Sequence, residues 1–158
     1  MDNKMTAFAV RVTAAAIALL FLGGASCGTA TQPPPPGVAG LDGRFAHDTL
    51  LIEAADCIPH TFRIYLATNI EQQRRGLMFV RNLPDDVGML FVYKNSAVHS
   101  MWMKNTYLPL DIVFATRDGS VATVVRDTTP LSLESLSSRV PVTYVLELKA
   151  GTARRLNI

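Results

Sequence analysis

The chain has 158 residues, about half of them hydrophobic, and a formal net charge of +2 at neutral pH. That length suits one domain rather than two. The charge is too small for a polyanion binder, and no Lys/Arg run is interleaved with aromatics, so nucleic acid is not an expected partner.

In chain order, Lys4 and Arg11 flank or enter an apolar stretch whose main part covers residues 12–22, broken only by Thr13; Gly23, Gly24, Ala25 and Ser26 follow. A basic segment, a short apolar core and small residues form the layout of a secretory signal. The apolar run is short of the about 20 residues that a helix needs to cross a bilayer core. Export is therefore expected, with an uncleaved N-terminal anchor as the alternative. Cys27, directly after small residues, resembles the cysteine of a bacterial lipobox, although Gly24 stands where Leu is usual. We expect Cys27 to be diacylated and to become the mature N-terminus. Ordinary cleavage after Ala30 competes with that reading.

Four consecutive prolines, Pro33 to Pro36, then favour an extended polyproline II spacer that cannot pack as a domain. The chain thus divides into a signal segment (1–27), a tether (28–47) and one domain (48–158). Its expected location is the periplasm or the outer face of a membrane, with the membrane itself as a partner through the N-terminal lipid or signal segment. With Cys27 lipidated, Cys57 is left single and no disulfide framework exists; a Cys27–Cys57 bridge is the alternative in an oxidising compartment.

Within the domain, residues 50–54 and 61–66 read as strands around Pro59. The second alternates, with Phe62, Ile64 and Leu66 on one side and Arg63 and Tyr65 on the other. Thr68 followed by Glu71 is a capping-box pattern that predicts a helix over residues 69–77, stopping near Gly76. The continuous apolar run at residues 88–93 reads as a strand buried on both faces. Strands over 98–103 and 110–115 follow. Asp118-Gly119 predicts a tight hairpin turn, with a return strand at 120–125. A polar, irregular stretch leads to a final alternating strand at 142–148. Many short strands with one capped helix predict an α+β, mainly β domain, built as a curved antiparallel sheet or a small open barrel.

Three segments together carry a resemblance: Arg75-Gly76-Leu77-Met78-Phe79; Gly88-Met89-Leu90-Phe91; and Trp102-Met103-Lys104-Asn105-Thr106 with Pro109-Leu110-Asp111. They are similar to the domain of unknown function 192 family, and Tyr144 to Leu148 with Ala150-Gly151 fits its closing segment. The resemblance implies a compact β-rich fold, often behind a signal peptide in bacteria, with no settled activity. Family members continue past the position of Ile158 with a short strand, so it also implies a shortened last strand here.

Candidate site residues concentrate between Trp102 and Asp111. Lys104, Asn105 and Asp111 place a cation, an amide and a carboxylate around Pro109, and Trp102 offers a stacking wall for a small anionic or hydroxylated ligand. Arg75 is a further candidate, able to pair with Asp111 or Glu147. The structural alternative is that Asn105 and Asp111 bond backbone while Lys104 is a surface cation. His99, Met101 and Met103 share one face if they lie in a strand, and imidazole with thioethers suits Cu(I). Such neighbours stand about 7 Å apart, too far to share one ion without distortion. There is no Gly-rich phosphate loop, no Gly-x-Ser-x-Gly elbow and no paired His spacing for zinc, so no cofactor is expected. The favoured expectation is non-catalytic binding of a small ligand or envelope component. An envelope enzyme using Asp111, Lys104 and Arg75 is the alternative.

Overall fold

The computed structural model describes residues 10–12, 37–53 and 59–158. Cys27, Cys57, the four prolines and almost all of the apolar run lie outside those residues, and with them the expectations of a signal, a lipid site and a disulfide. The strands in chain order are β1 (Val10–Val12), β2 (Ala46–Glu53), β3 (Pro59–Ala67), β4 (Val87–Ala97), β5 (Ser100–Met101), β6 (Leu110–Ala115), β7 (Val121–Val125), β8 (Leu136–Ser137) and β9 (Val142–Lys149). One sheet runs β1-β2-β3-β4-β9-β6-β7, and β5 with β8 makes a separate two-stranded ribbon. Six strands make the body of this sheet, and the three residues of β1 extend its β2 edge.

The α+β, mainly β class is what the chain adopts, with an open sheet and no closed barrel. The sheet is mixed where an antiparallel one was expected. β3 and β4 are parallel, pairing Arg63 with Val87 through Ala67 with Phe91. Parallel neighbours need a crossover, and the helix α1 (Ile70–Arg75) lies within it. Gln73 fastens the crossover, its side-chain amide donating to the carbonyls of Ala67 (3.4 Å) and Val92 (3.0 Å).

The expected cap is displaced by one residue. Asn69, not Thr68, accepts from the Gln72 amide at 2.9 Å, while Thr68 bonds the Gln72 side chain. Asn is at least as good an N-cap as Thr, so the local choice is between near equals. Gly76 ends the helix at φ 46° and ψ −141°, a conformation that favours glycine. A Cβ there would also stand 3.1 Å from the Phe91 ring. After β9 the chain makes a second short helix, α2 (Thr152–Arg155), which the sequence reading did not include.

Period-two alternation sorts the core into two clusters. Tyr65, Met89, Phe91, Ile112, Phe114 and Val145 belong to one, which the segment after α1 covers with Leu77, Val80 and Leu83. Phe62, Ile64, Leu90, Val113, Leu146 and Leu148 belong to the other, which α2 and its neighbours cover with Ala153, Leu156 and Ile158. The domain also starts earlier than residue 48. Val38, Leu41 and Phe45 are buried in the first cluster. The Tyr65 hydroxyl donates to Asp42 at 2.7 Å and accepts from the Val38 amide at 3.0 Å. The end of the expected tether is therefore part of the fold: its apolar residues recur at positions 38, 41 and 45, and they find an open sheet face to cover.

Asp111 projects from β6 to the second face, fully buried. Its carboxylate accepts from the Asp127 amide at 2.9 Å and from the Ala153 amide at 2.7 Å. One side chain thus ties the β7–β8 connection and the start of α2 to β6. Hydrogen bonds to a charged group contribute about 1.5–3 kcal/mol each, and leaving a buried donor unmet costs a similar amount. Asp111→Asn, which turns one acceptor into a donor facing an N–H, is expected to lower unfolding free energy by about 2–4 kcal/mol, read from denaturant midpoints. A variant as stable as the parent would remove Asp111 from this role.

Candidate functional site

The first sheet face is incompletely covered. Between α1 and the 100–106 segment a cleft of about 510 Å³ opens, floored by β4 and β9. Four of the five candidates named from sequence, Arg75, Trp102, Lys104 and Asn105, line it. Asp111 does not; β6 pairs Ile112 with Glu147 and Asp111 with Leu148, so Asp111 and Glu147 face opposite sides of the sheet. The trio Asp111, Lys104 and Arg75 is therefore not assembled.

The 100–106 segment is held by the short pairing of β5 with β8 and, beyond it, by backbone bonds to loops. Met103 donates to the Ser132 carbonyl at 3.1 Å, Thr106 to Met103 at 3.0 Å, and Leu131 to Thr106 at 3.1 Å. Asn105 takes a left-handed conformation (φ 55°), tolerable for Asn. Phe79 does the same (φ 67°), which is costly for a bulky residue. Its amide bonds the Asn105 carbonyl at 2.9 Å, so the two unusual residues fix each other across the cleft mouth. Phe79 is left exposed, with the Arg75 guanidinium 4.6 Å over its ring. On the opposite lip Trp102 is 49 % exposed, and the Lys104 ammonium lies 5.1 Å over its ring.

The floor holds the residue that sequence reasoning did not select. Glu147 is 4 % exposed, and its Oε2 has no hydrogen-bond partner. Burial pushes its carboxyl up to about 8, against the opposing pull of the Leu77 backbone amide. It is thus mainly protonated at neutral pH. Tyr93 is pushed up to about 12, first by burial and then by Glu147 nearby. Its hydroxyl donates to the Met101 sulfur at 3.9 Å. The Nε of Arg75 is also buried without a partner, and among the described residues no ion pair joins Arg75 to Glu147. The sequence signal for Glu147 is its position: it falls in step with Val145 on the inward face of an alternating strand.

His99, Met101 and Met103 do not form one array. The strand expected over 98–103 shrinks to the two residues of β5. Met103 is buried in the core. Met101 lines the cleft, and the His99 ring stacks on Tyr93 at 3.6 Å between centroids. Among the described residues no group of three or more His, Cys, Asp or Glu converges as a metal site would require.

Known proteins share this architecture. A protein from Novosphingobium aromaticivorans, of unknown function, is 32% identical; the match covers 86% of this chain and 94% of that one, with a TM-score of 0.73. A protein from Sinorhizobium meliloti, described as a candidate transcription regulator, is 40% identical over 72% of this chain and 88% of that one, with a TM-score of 0.71. No curated protein matches the sequence. A family model described as "Uncharacterized ACR", that of DUF192, matches residues 51–158, which include every cleft-lining residue named above. The chain belongs to the DUF192 family.

Proposed function

We propose that this is an exported, membrane-tethered domain that binds a small ligand or envelope component in the cleft without transforming it. The observation that carries the reading is the cleft floor. A buried Glu147 whose Oε2 has no partner costs free energy in the empty protein, and a ligand able to hydrogen-bond it recovers part of that cost. Trp102, Lys104, Asn105 and Arg75 surround the same space with a stacking surface, cations and an amide. Among the described residues Glu147 is the one acid lining the cleft, which supports binding over hydrolysis by a carboxylate pair. Export and tethering are supported by Lys4, Arg11, the apolar run, Cys27 and the prolines.

Trp102 is the chain's single tryptophan, so its emission reports on the cleft alone. A broad panel of small polar and amphipathic compounds is expected to include some that shift this emission saturably and are recovered unchanged. Conversion of a bound compound into product would overturn the non-catalytic reading.

Glu147 also predicts a pH dependence of stability. Its carboxyl is raised from an ordinary 4.5 to about 8, so the folded state holds a proton that the unfolded chain releases. Stability is fully present below about 4.5 and declines as pH rises to about 8, by up to about 5 kcal/mol. Glu147→Gln, with no proton to lose, is expected to flatten that decline in urea melts. An equally steep decline in the variant would refute the assignment.

Tethering is tested in a bacterial host supplied with labelled palmitate. The full chain should take up label and fractionate with membranes, and Cys27→Ser should take up none. An unlabelled mature protein starting after Ala30 would leave export standing and remove the lipid.

A further inference from the structure

We infer that the cleft takes a small carboxylate, its two oxygens received by Arg75 and Glu147 and its flat apolar body lying along Trp102 and Met101. This deepens the binding reading above and rests on it. Three observations converge. Arg75 Nε and Glu147 Oε2 line one cleft, both are buried, both lack partners, and no ion pair joins them. An Arg and a Glu lining one cleft without pairing leave a gap for a third group to bridge.

The second observation is that the polar groups on offer are mostly donors. Among the described residues Arg74, Arg75 and Lys104 are cations on the walls, and Glu147 is the single acid. Burial keeps that acid protonated to about 8, and with the Leu77 amide already on the carboxyl, Oε2 is free to carry the donated proton. The Tyr93 hydroxyl is committed to Met101. A ligand that meets Arg75 and neutral Glu147 together must therefore present two acceptors, and a carboxylate presents them side by side. A cationic ligand would need Glu147 ionised and would face three like charges. A neutral polyol would meet the hydrogen bonds and leave the charge unanswered.

Third, beside the polar Gln73, Ser100, Asn105 and Thr106, the lining carries an apolar set: Leu77, Phe91, Met101, the Trp102 ring and exposed Ile70. A bare inorganic anion would leave this surface wet. The groups that face Glu147 are few. Arg74 and Arg75 come from α1, Tyr93 from β4 and Lys104 from the 100–106 segment, while its β6 partner Ile112 carries no charge. His99 stands behind the Tyr93 ring.

Benzoate and its neutral isostere benzamide, titrated into the purified full chain while Trp102 emission is followed, test this directly. Benzoate is expected to bind at least tenfold more tightly than benzamide at pH 7. Its affinity should fall about tenfold between pH 7 and pH 9 as Glu147 loses its proton. Glu147→Gln, which donates at any pH, should hold benzoate with constant affinity over that range. Arg75→Lys, which keeps the charge and loses Nε, should weaken benzoate tenfold or more at pH 7 while leaving benzamide little changed. Equal affinity for acid and amide overturns the carboxylate class and leaves cleft binding intact. A benzoate affinity that falls equally in Glu147→Gln removes Glu147 from recognition and overturns the proposal. If neither probe binds at millimolar concentration the carboxylate assignment fails, and only if the wider panel is also silent does the binding reading fail with it.

Discussion

β9 is hydrogen-bonded on both sides, to β4 and to β6, and the rest of the domain depends on that double pairing. The approach is close: a Cβ on Gly88 would stand 2.8 Å from the Glu147 carbonyl oxygen and 2.7 Å from the Leu148 side chain. Backbone at that distance cannot yield as a side chain can, so glycine is what lets β4 lie flat against β9. Because the strand is gripped from both edges, its register is not free to slip, and alternation sends Val145 and Glu147 to one core and Leu146 and Leu148 to the other. A carboxyl is thereby forced into an apolar layer with no cation within bonding reach. The neutral state of Glu147, the emptiness around its Oε2 and the donor character of the cleft all follow from that placement.

The layers on either side of β9 are unequal in kind. The second face is closed by α2 and the residues after it, and the buried carboxyl of Asp111 on that face is consumed by two backbone amides. The first face is closed only in part, by residues on either side of α1, and the cleft is the portion left uncovered. Two carboxyl groups on neighbouring strands thus have opposite fates. One fastens backbone from two other segments, and the other is a buried acid beside open space.

Much of this was legible in the amino-acid sequence. Alternation in residues 61–66 placed Phe62, Ile64 and Leu66 opposite Tyr65 correctly, and the Asp118-Gly119 turn sits where expected, with Thr116 and Ser120 bonded across it. The Trp102-to-Thr106 block led to the cleft because it is dense in side chains that have no place in a core. For Asp111 the alternative that its carboxylate bonds backbone is the one that holds, and alternation removes it from the cleft: Leu110, Ile112 and Phe114 define one side of β6, and Asp111 must take the other. The parallel pairing of β3 and β4 was not legible, because strand direction is settled by where the crossover packs and not by any residue within the strands. Glu147 was passed over because an acid in a strand reads as solvent-facing until a neighbouring strand shows which side is inside. The His99–Met101–Met103 array assumed a continuous strand, and β5 is only two residues long; backbone bonds from Ser132 and the surrounding loops shape the rest.

The Tyr65 hydroxyl, clasping Val38 and Asp42, is the first anchor of the chain that follows Cys27. Under the proposed attachment at Cys27, eleven residue steps separate the lipid from that first anchored position, a span of at most about 40 Å when fully stretched. The cleft is then confined to a thin layer above the bilayer, and diffusion in two dimensions, not three, decides which molecules it meets. A ligand that lingers at the lipid headgroups would encounter it far more often than one of equal affinity dispersed through the bulk.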